Sequence, residues 1–220
     1  DPFAGHNSRM QLVFEAKRNY IGIDVSKNFM EQNREVREIL YDRFDQNLFN
    51  DHKAPRIILH NKSSASLPNI KSNSADFTVT SPQYWDLEYY GEEPEQLGNA
   101  KTYKKFLELL TPHIEENFRI LKPGAFCCWC INDFKKDGIY YPYHADLITI
   151  FTQAGFTMHT IYIIDLVGSI QASFVQSIIK TKAFPKRHEY CLVFTKSEDS
   201  NHEKETTQST QRSFKRKRKT

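Results

Sequence analysis

Short apolar runs alternate along this chain with stretches whose apolar residues recur at helical spacing. Residues 19–25 predict a strand, and residues 26–40 a helix opened by a serine cap at Ser26. Residues 56–60 predict a short buried strand, followed by a loop rich in Ser, Asn and Lys (61–74) and a further strand over 76–80. Tyr103, Phe106, Leu109, Leu110, Ile114 and Phe118 then mark a helical face, with Lys122-Pro123-Gly124 expected to stop the helix and Pro112 to kink or restart it. A central strand is predicted over 125–131 and a helix over 144–154, ended by Gly155. Residues 157–164 and 189–195 predict closing strands, expected to pair antiparallel. This alternation predicts an α/β fold built on a mostly parallel sheet. No internal repeat interrupts it.

Composition narrows the picture. With 220 residues, 39% hydrophobic and 13% aromatic, the chain can bury one α/β core and little else. No apolar run reaches membrane-spanning length and no charged-then-apolar leader opens the sequence, so a soluble protein with no membrane partner is expected. Cys127, Cys128 and Cys130 share one apolar segment and Cys191 lies far away; that is not zinc spacing, so reduced core thiols and no metal are expected. Of the 30 basic and 27 acidic residues, seven and four fall in 197–220, leaving 23 of each in the body. Affinity for nucleic acid must therefore come from a local patch or from the tail. The division expected is a domain over 1–196 and a disordered basic tail over 197–220, ending Lys215-Arg216-Lys217-Arg218-Lys219.

Two clusters carry candidate chemistry. The first is Asp1-Pro2-Phe3-Ala4-Gly5, a tight turn of small residues suited to close approach by a cofactor, followed about one helix later by Asp24 at a strand end. A carboxylate there is placed to take two ribose hydroxyls; as a bland alternative, Gly5 is only a turn and Asp24 only a capping acid. Such a loop normally follows the first strand of a nucleotide-binding α/β fold, so the strand that should feed residues 1–5 is expected to be missing from the chain. The second cluster is Thr80-Ser81-Pro82-Gln83-Tyr84-Trp85 at the end of an apolar strand. A nucleobase amine is a poor nucleophile because its lone pair is delocalised into the ring. Two acceptors on its hydrogens, the Ser81 hydroxyl and the Pro82 carbonyl, favour a pyramidal nitrogen, while Tyr84 stacks on the flipped base.

Together the two clusters resemble the S-adenosylmethionine site and the (S/D/N)PPY motif of the cytosine-N4 and adenine-N6 DNA methyltransferases. Trp85-Asp86-Leu87-Glu88-Tyr89-Tyr90-Gly91, Gln96-Leu97-Gly98-Asn99, Leu121-Lys122-Pro123-Gly124, Asn132-Asp133, Lys135-Lys136-Asp137-Gly138, Val167-Gly168-Ser169 and Arg187-His188-Glu189-Tyr190 continue the likeness in order, in a pattern like phage and prophage methylases. The resemblance covers residues 1 to about 196. It implies a Rossmann-like class I methyltransferase fold, S-adenosyl-L-methionine as cofactor and double-stranded DNA as substrate. Carried onto this sequence, the base site is Ser81, Pro82 and Tyr84, and the cofactor site is Asp1, Phe3, Ala4, Gly5 and Asp24. Asn61 stands where the family places an acid after its third strand and is assigned to the cofactor adenine. The serine form favours cytosine N4, with adenine N6 as the alternative.

Two departures stand out. Gln83 replaces the second proline of the motif, which predicts a less rigid loop. His6-Asn7-Ser8 replaces a glycine-rich turn, with Asn7 expected to tolerate a left-handed backbone. Both also fit a degenerate homologue that binds DNA without catalysis, and methylation of RNA or protein is a third class. Trp85, Lys180, Lys182, Lys186 and Arg187 are candidate DNA contacts, against an ordinary solvated loop for the basic strip. His144 is expected to be structural, and Trp85 and Trp129 core or pocket-wall residues. The expected location is cytoplasmic at the nucleoid, with nuclear import by the basic tail as the alternative.

Overall fold

The computed structural model describes residues 1–46, 53–166 and 187–197. Its elements run α1 (Ser8–Glu15), β1 (Tyr20–Asp24), α2 (Lys27–Asp45), β2 (Ile57–Asn61), β3 (Ala75–Thr80), α3 (Tyr103–Ile120), β4 (Leu121–Ile131), β5 (Phe134–Lys136), β6 (Ile139–Tyr141), α4 (Tyr143–Gln153), β7 (Phe156–Asp165) and β8 (His188–Lys196). A short 3-10 turn, Leu97–Asn99, follows the motif loop.

Strands β1 and β2 pair in parallel, as do β3 and β4, while β8 runs antiparallel to both β4 and β7. Between the pairs lies the segment 1–4. The Asp1 nitrogen donates to Ile21 O (2.9 Å), Ile23 N donates to Asp1 O (3.0 Å) and Ala4 N to Ile23 O (2.9 Å), a parallel run beside β1. On its other flank the Thr80 hydroxyl donates to the Asp1 carboxylate (2.7 Å). The lateral order is therefore β2, β1, segment 1–4, β3, β4, β8, β7, with all the parallel members ending on one edge. The expected mostly parallel sheet with an antiparallel closing pair is what forms.

Three buried clusters form, the smallest of them joining Ile23 of β1 to Leu67, Ile70 and Ile120. The largest gathers Phe106, Leu110 and Ile114 of α3, Leu147 and Phe151 of α4, and Trp129, Leu192 and Phe194 of the strands. Phe151 stacks on Phe194 with ring centroids 4.1 Å apart. The second places Met10 and Phe14 of α1 and Leu40 of α2 on Tyr20 and Ile57. Burying such side chains stabilises by about 1.5–3 kcal/mol each. The expected helix over 26–40 extends to Asp45, and the Ser26 hydroxyl caps it by accepting from Phe29 N (3.4 Å).

Several expectations are corrected. Helix α3 runs unbroken through Pro112, with the Thr111 hydroxyl donating to Leu107 O (2.9 Å) one turn back, so no restart occurs. It ends at Ile120, before Lys122-Pro123-Gly124, which lies inside β4. There Leu121 pairs with Ala75 and Phe126 with Phe77, so the proline and a left-handed Gly124 (φ 76°) form a bulge in the strand. Asn7 is not left-handed: at φ −72° it opens α1, and Gly5 (φ 51°) alone carries the reversal. Helix α1 and the β5–β6 hairpin have no counterpart among the expected elements. Cys127 is a core thiol, but Cys128, Cys130 and Cys191 are only half-buried, and Cys191 lies directly across from Cys130. Among the described residues no cluster suited to a metal ion occurs, and no helix is long and apolar enough to cross a membrane.

Candidate active site

The segment 1–5 is held from every side. One Asp1 carboxylate oxygen accepts from Arg9 Nε (2.7 Å) and the Tyr20 hydroxyl (2.8 Å), the other from the Thr80 hydroxyl (2.7 Å) and Phe3 N (3.3 Å). Its side chain is 1% exposed, so this carboxylate is consumed as an internal anchor. Arg9 also donates to Phe3 O (2.6 Å) and Ala4 O (3.2 Å), clamping α1 to the turn. Burial pulls the Arg9 guanidinium below its ordinary range, partly offset by the neighbouring Tyr20.

Asp24 ends β1. Its carboxylate accepts from Gly5 N (2.8 Å) and Ser26 N (2.9 Å), tying the turn to the start of α2. Burial raises its pKa, and the two backbone donors pull the other way. Each oxygen keeps a lone pair, so the group can still receive ligand hydroxyls. From α2, Asn33 Nδ2 donates to Gly5 O (2.8 Å), while its buried Oδ1 has no partner. Asn61 closes β2 and donates Nδ2 to Asp24 O (3.0 Å) and Val25 O (2.9 Å), so its amide supports the backbone after Asp24.

Pro2, Phe3, Asp24, Ser64, Gln83 and His113 line a narrow cleft of about 10 Å³. That is room for about one water. The Ser64 hydroxyl donates to Pro2 O (2.8 Å) and so accepts from His113 Nδ1 (2.7 Å), fixing the neutral tautomer. Burial lowers the His113 pKa to about 4 from 6.5. Between those values the unfolded chain binds a proton that the folded protein does not, so stability falls with acidification across that window. Lowering the pH from 7 to 5 is expected to cost about 2 kcal/mol through this residue, at about 1.36 kcal/mol per pKa unit. Urea titrations of the protein and of His113→Gln at both pH values check this; equal slopes with pH would refute the assignment.

The motif loop leaves the end of β3. Ser81 is exposed, Pro82 and Gln83 are buried, and Tyr84 and Trp85 are half-buried. The Ser81 hydroxyl bonds no other described residue. Burial raises the Tyr84 phenol well above its ordinary range, against a hydrogen bond from the Asn132 backbone. Its ring meets Phe134 edge-on at 6.0 Å and Tyr143 at 5.9 Å, which fixes its plane. Trp85 donates Nε1 to Ala100 O (2.8 Å) and lies under the Lys136 ammonium (5.2 Å), as a wall of the site.

Beyond Tyr84 stands a network the sequence did not signal as one unit. The Asp133 carboxylate accepts from His144 N (3.0 Å), His144 Nδ1 (2.7 Å) and the Tyr140 hydroxyl (2.6 Å). Burial works to raise the Asp133 pKa, but these donors together hold it below the usual range. His144 stacks on Tyr190 at 4.5 Å, which together with Asp133 fixes its ring orientation. Arg187 sits at the same sheet edge, 3.7 Å from Asp165. Lys180, Lys182, Lys186 and Val167-Gly168-Ser169 lie outside the described residues, as does the tail from 198.

A carboxylate at the end of one strand, a tight turn between two parallel strands and a motif loop on the next define a Rossmann-like methyltransferase architecture. Comparison bears out the fold. A methyltransferase of Methanosarcina mazei described as S-adenosylmethionine-dependent superposes with a TM-score of 0.55 at 12% identity, over 88% of this chain and 89% of its own. The [4+2]-cyclase SpnF superposes at 0.54 with 14% identity, over 88% and 73%. The fold thus hosts more than one reaction. A candidate DNA modification methylase of Thermus thermophilus, also solved with S-adenosyl-L-methionine, is 27% identical with a TM-score of 0.43 over 61% of this chain and 50% of its own. The chain spans about half the length of that protein. No curated protein matches. Residues 75–220 match the family model described as DNA methylase. The chain belongs to this DNA methylase family.

Proposed function

We propose that this protein transfers a methyl group from S-adenosyl-L-methionine to an exocyclic amine of a base in double-stranded DNA, with cytosine N4 as the target. The observation that carries the reading is the Thr80 contact. Its hydroxyl donates to Asp1 (2.7 Å) and lies 3.4 Å from Phe3 O, which sets the loop beginning at Ser81 beside the Gly5 turn. That contact supports a reading in which donor and acceptor sites are adjacent, as methyl transfer by positioning requires.

The residues fit the cofactor chemically. Asp24 offers a buried carboxylate for a ribose diol, and the Gly5 turn leaves backbone open for close approach. Bound there, S-adenosyl-L-methionine would supply an electrophilic methyl carbon. Ser81 Oγ and Pro82 O would accept the two amine hydrogens and expose the nitrogen lone pair. Tyr84, its plane set by Phe134 and Tyr143, would stack on the extruded base. Arg187 and the basic residues 180–186 are the proposed phosphate contacts, and the basic tail is a proposed DNA tether.

Labelled S-adenosylmethionine and unmethylated duplex DNA, followed by nucleoside mass spectrometry, test the reading. N4-methylcytosine is the expected product. N6-methyladenine would keep the mechanism and change the target, and absence of transfer despite cofactor binding would overturn the catalytic reading.

A further inference from the structure

The proline missing at position 83 has a replacement of a different kind. The Gln83 side chain is buried, and its Oε1 accepts from Leu97 N (3.1 Å) and Gly98 N (3.4 Å). Its Nε2 donates to Gln96 Oε1. Gln96, also buried, donates onward to Tyr90 O (3.1 Å) and Glu93 Oε2 (2.9 Å). The other Glu93 oxygen accepts from Lys27 N (3.2 Å), the first residue of α2, three positions after Asp24. Gly91 (φ 135°) and the 3-10 turn at 97–99 fold the segment 91–99 back so that it bridges the two sites.

We propose that Gln96 is a positioning residue for the base loop. Its carboxamide clasps Gln83, and the clasp supplies the rigidity that a second proline would give through its fixed backbone angle. Two buried carboxamides that satisfy one another hold a single geometry, because any other arrangement leaves buried donors unpaired. The same chain of hydrogen bonds joins the base loop to the helix that follows Asp24. The geometry of the cofactor side is thereby passed to Ser81 and Tyr84. This inference rests on the methyl-transfer reading for its kinetic consequences, but not for the clasp itself.

The test uses the full chain and the variants Gln96→Ala, Gln83→Pro and the double variant. Gln96→Ala, which removes the clasp together with the bonds to Tyr90 O and Glu93, is expected to lower kcat about ten-fold, with the KM for DNA within about two-fold. In the Gln83→Pro background the same substitution is expected to change kcat by less than about two-fold, because the loop no longer depends on the clasp. A merely structural role predicts the same loss in both backgrounds, and that result, or an unchanged kcat in Gln96→Ala, overturns the proposal. Hydrogen exchange of the Leu97 and Gly98 amides separates this outcome from failure of the functional reading. If the wild type transfers no methyl group but Gln96→Ala deprotects these amides, the function is wrong and the clasp stands; unchanged protection overturns the clasp. Should Gln96→Ala not fold, Gln83→Leu removes the clasp from its other side and is read the same way.

Discussion

Ser81→Ala is expected to lower methyl transfer about 10²–10³-fold, the loss typical of one acceptor or donor aimed at a reacting group. Cofactor affinity should stay within about two-fold, because Ser81 belongs to the base loop and touches none of the Gly5–Asp24 machinery. The reasoning is local. Ser81 is exposed at the end of β3 and its hydroxyl bonds no described residue, so its removal costs the fold nothing. What would be lost is one of the two acceptors proposed for the amine's N–H groups. Single-turnover transfer and calorimetric cofactor titration together decide the matter. Equal loss of transfer and of cofactor binding would sink the assignment.

Asp24→Ala should do the reverse. Cofactor affinity is expected to fall about 100-fold, the equivalent of about 2.7 kcal/mol, which two hydrogen bonds to a charged acceptor can supply. At saturating cofactor, kcat should remain within a few-fold. Because Asp24 also receives the Gly5 and Ser26 amides, the variant is expected to lose about 1–3 kcal/mol of stability as well. Asp24→Asn separates the two effects, since its carbonyl oxygen can keep one of those amides while the charge is gone. An unchanged cofactor Kd in Asp24→Ala would remove the residue from the site.

Much of this is legible in the order of residues. The strands over 76–80, 157–164 and 189–195 lie within one residue of their predicted limits, while β4 begins four residues before the predicted 125. Its inward-facing Ala125, Cys127, Trp129 and Ile131 alternate with more exposed residues, the pattern of a strand with one buried face. The turn at 1–5, Asp24 and the motif loop stand out in the sequence by residue type alone, and the structure places Asp24 against Gly5 and Thr80 against Asp1. Helix α1 escapes because it is short and weakly amphipathic, burying only Met10 and Phe14. Arg9 and Asn33 escape with it, as nothing in sequence spacing reveals that a side chain reaches back to the carbonyls of Phe3 or Gly5. Gln83 reads as a loss of stiffness because its partner, Gln96, lies 13 residues away and is brought near only by the fold at 91–99. Asn61 stands at the end of its strand as expected, but its amide serves the backbone of Asp24 and Val25.

The segment 1–4 has a consequence for how the molecule comes apart. Its backbone bonds β1, and the Asp1 carboxylate accepts from Thr80 at the end of β3. Phe3 belongs to the largest core through Trp129 (5.7 Å), while Ala4 and Asp1 bond β1. The turn proposed to receive the methyl donor thus sits where β1 meets the end of β3. A species in which β1 and β3 have not come together is therefore expected to lack this turn and to bind the cofactor weakly. To the extent that it does, added ligand stabilises the state in which β1 and β3 are joined over any state in which they are apart.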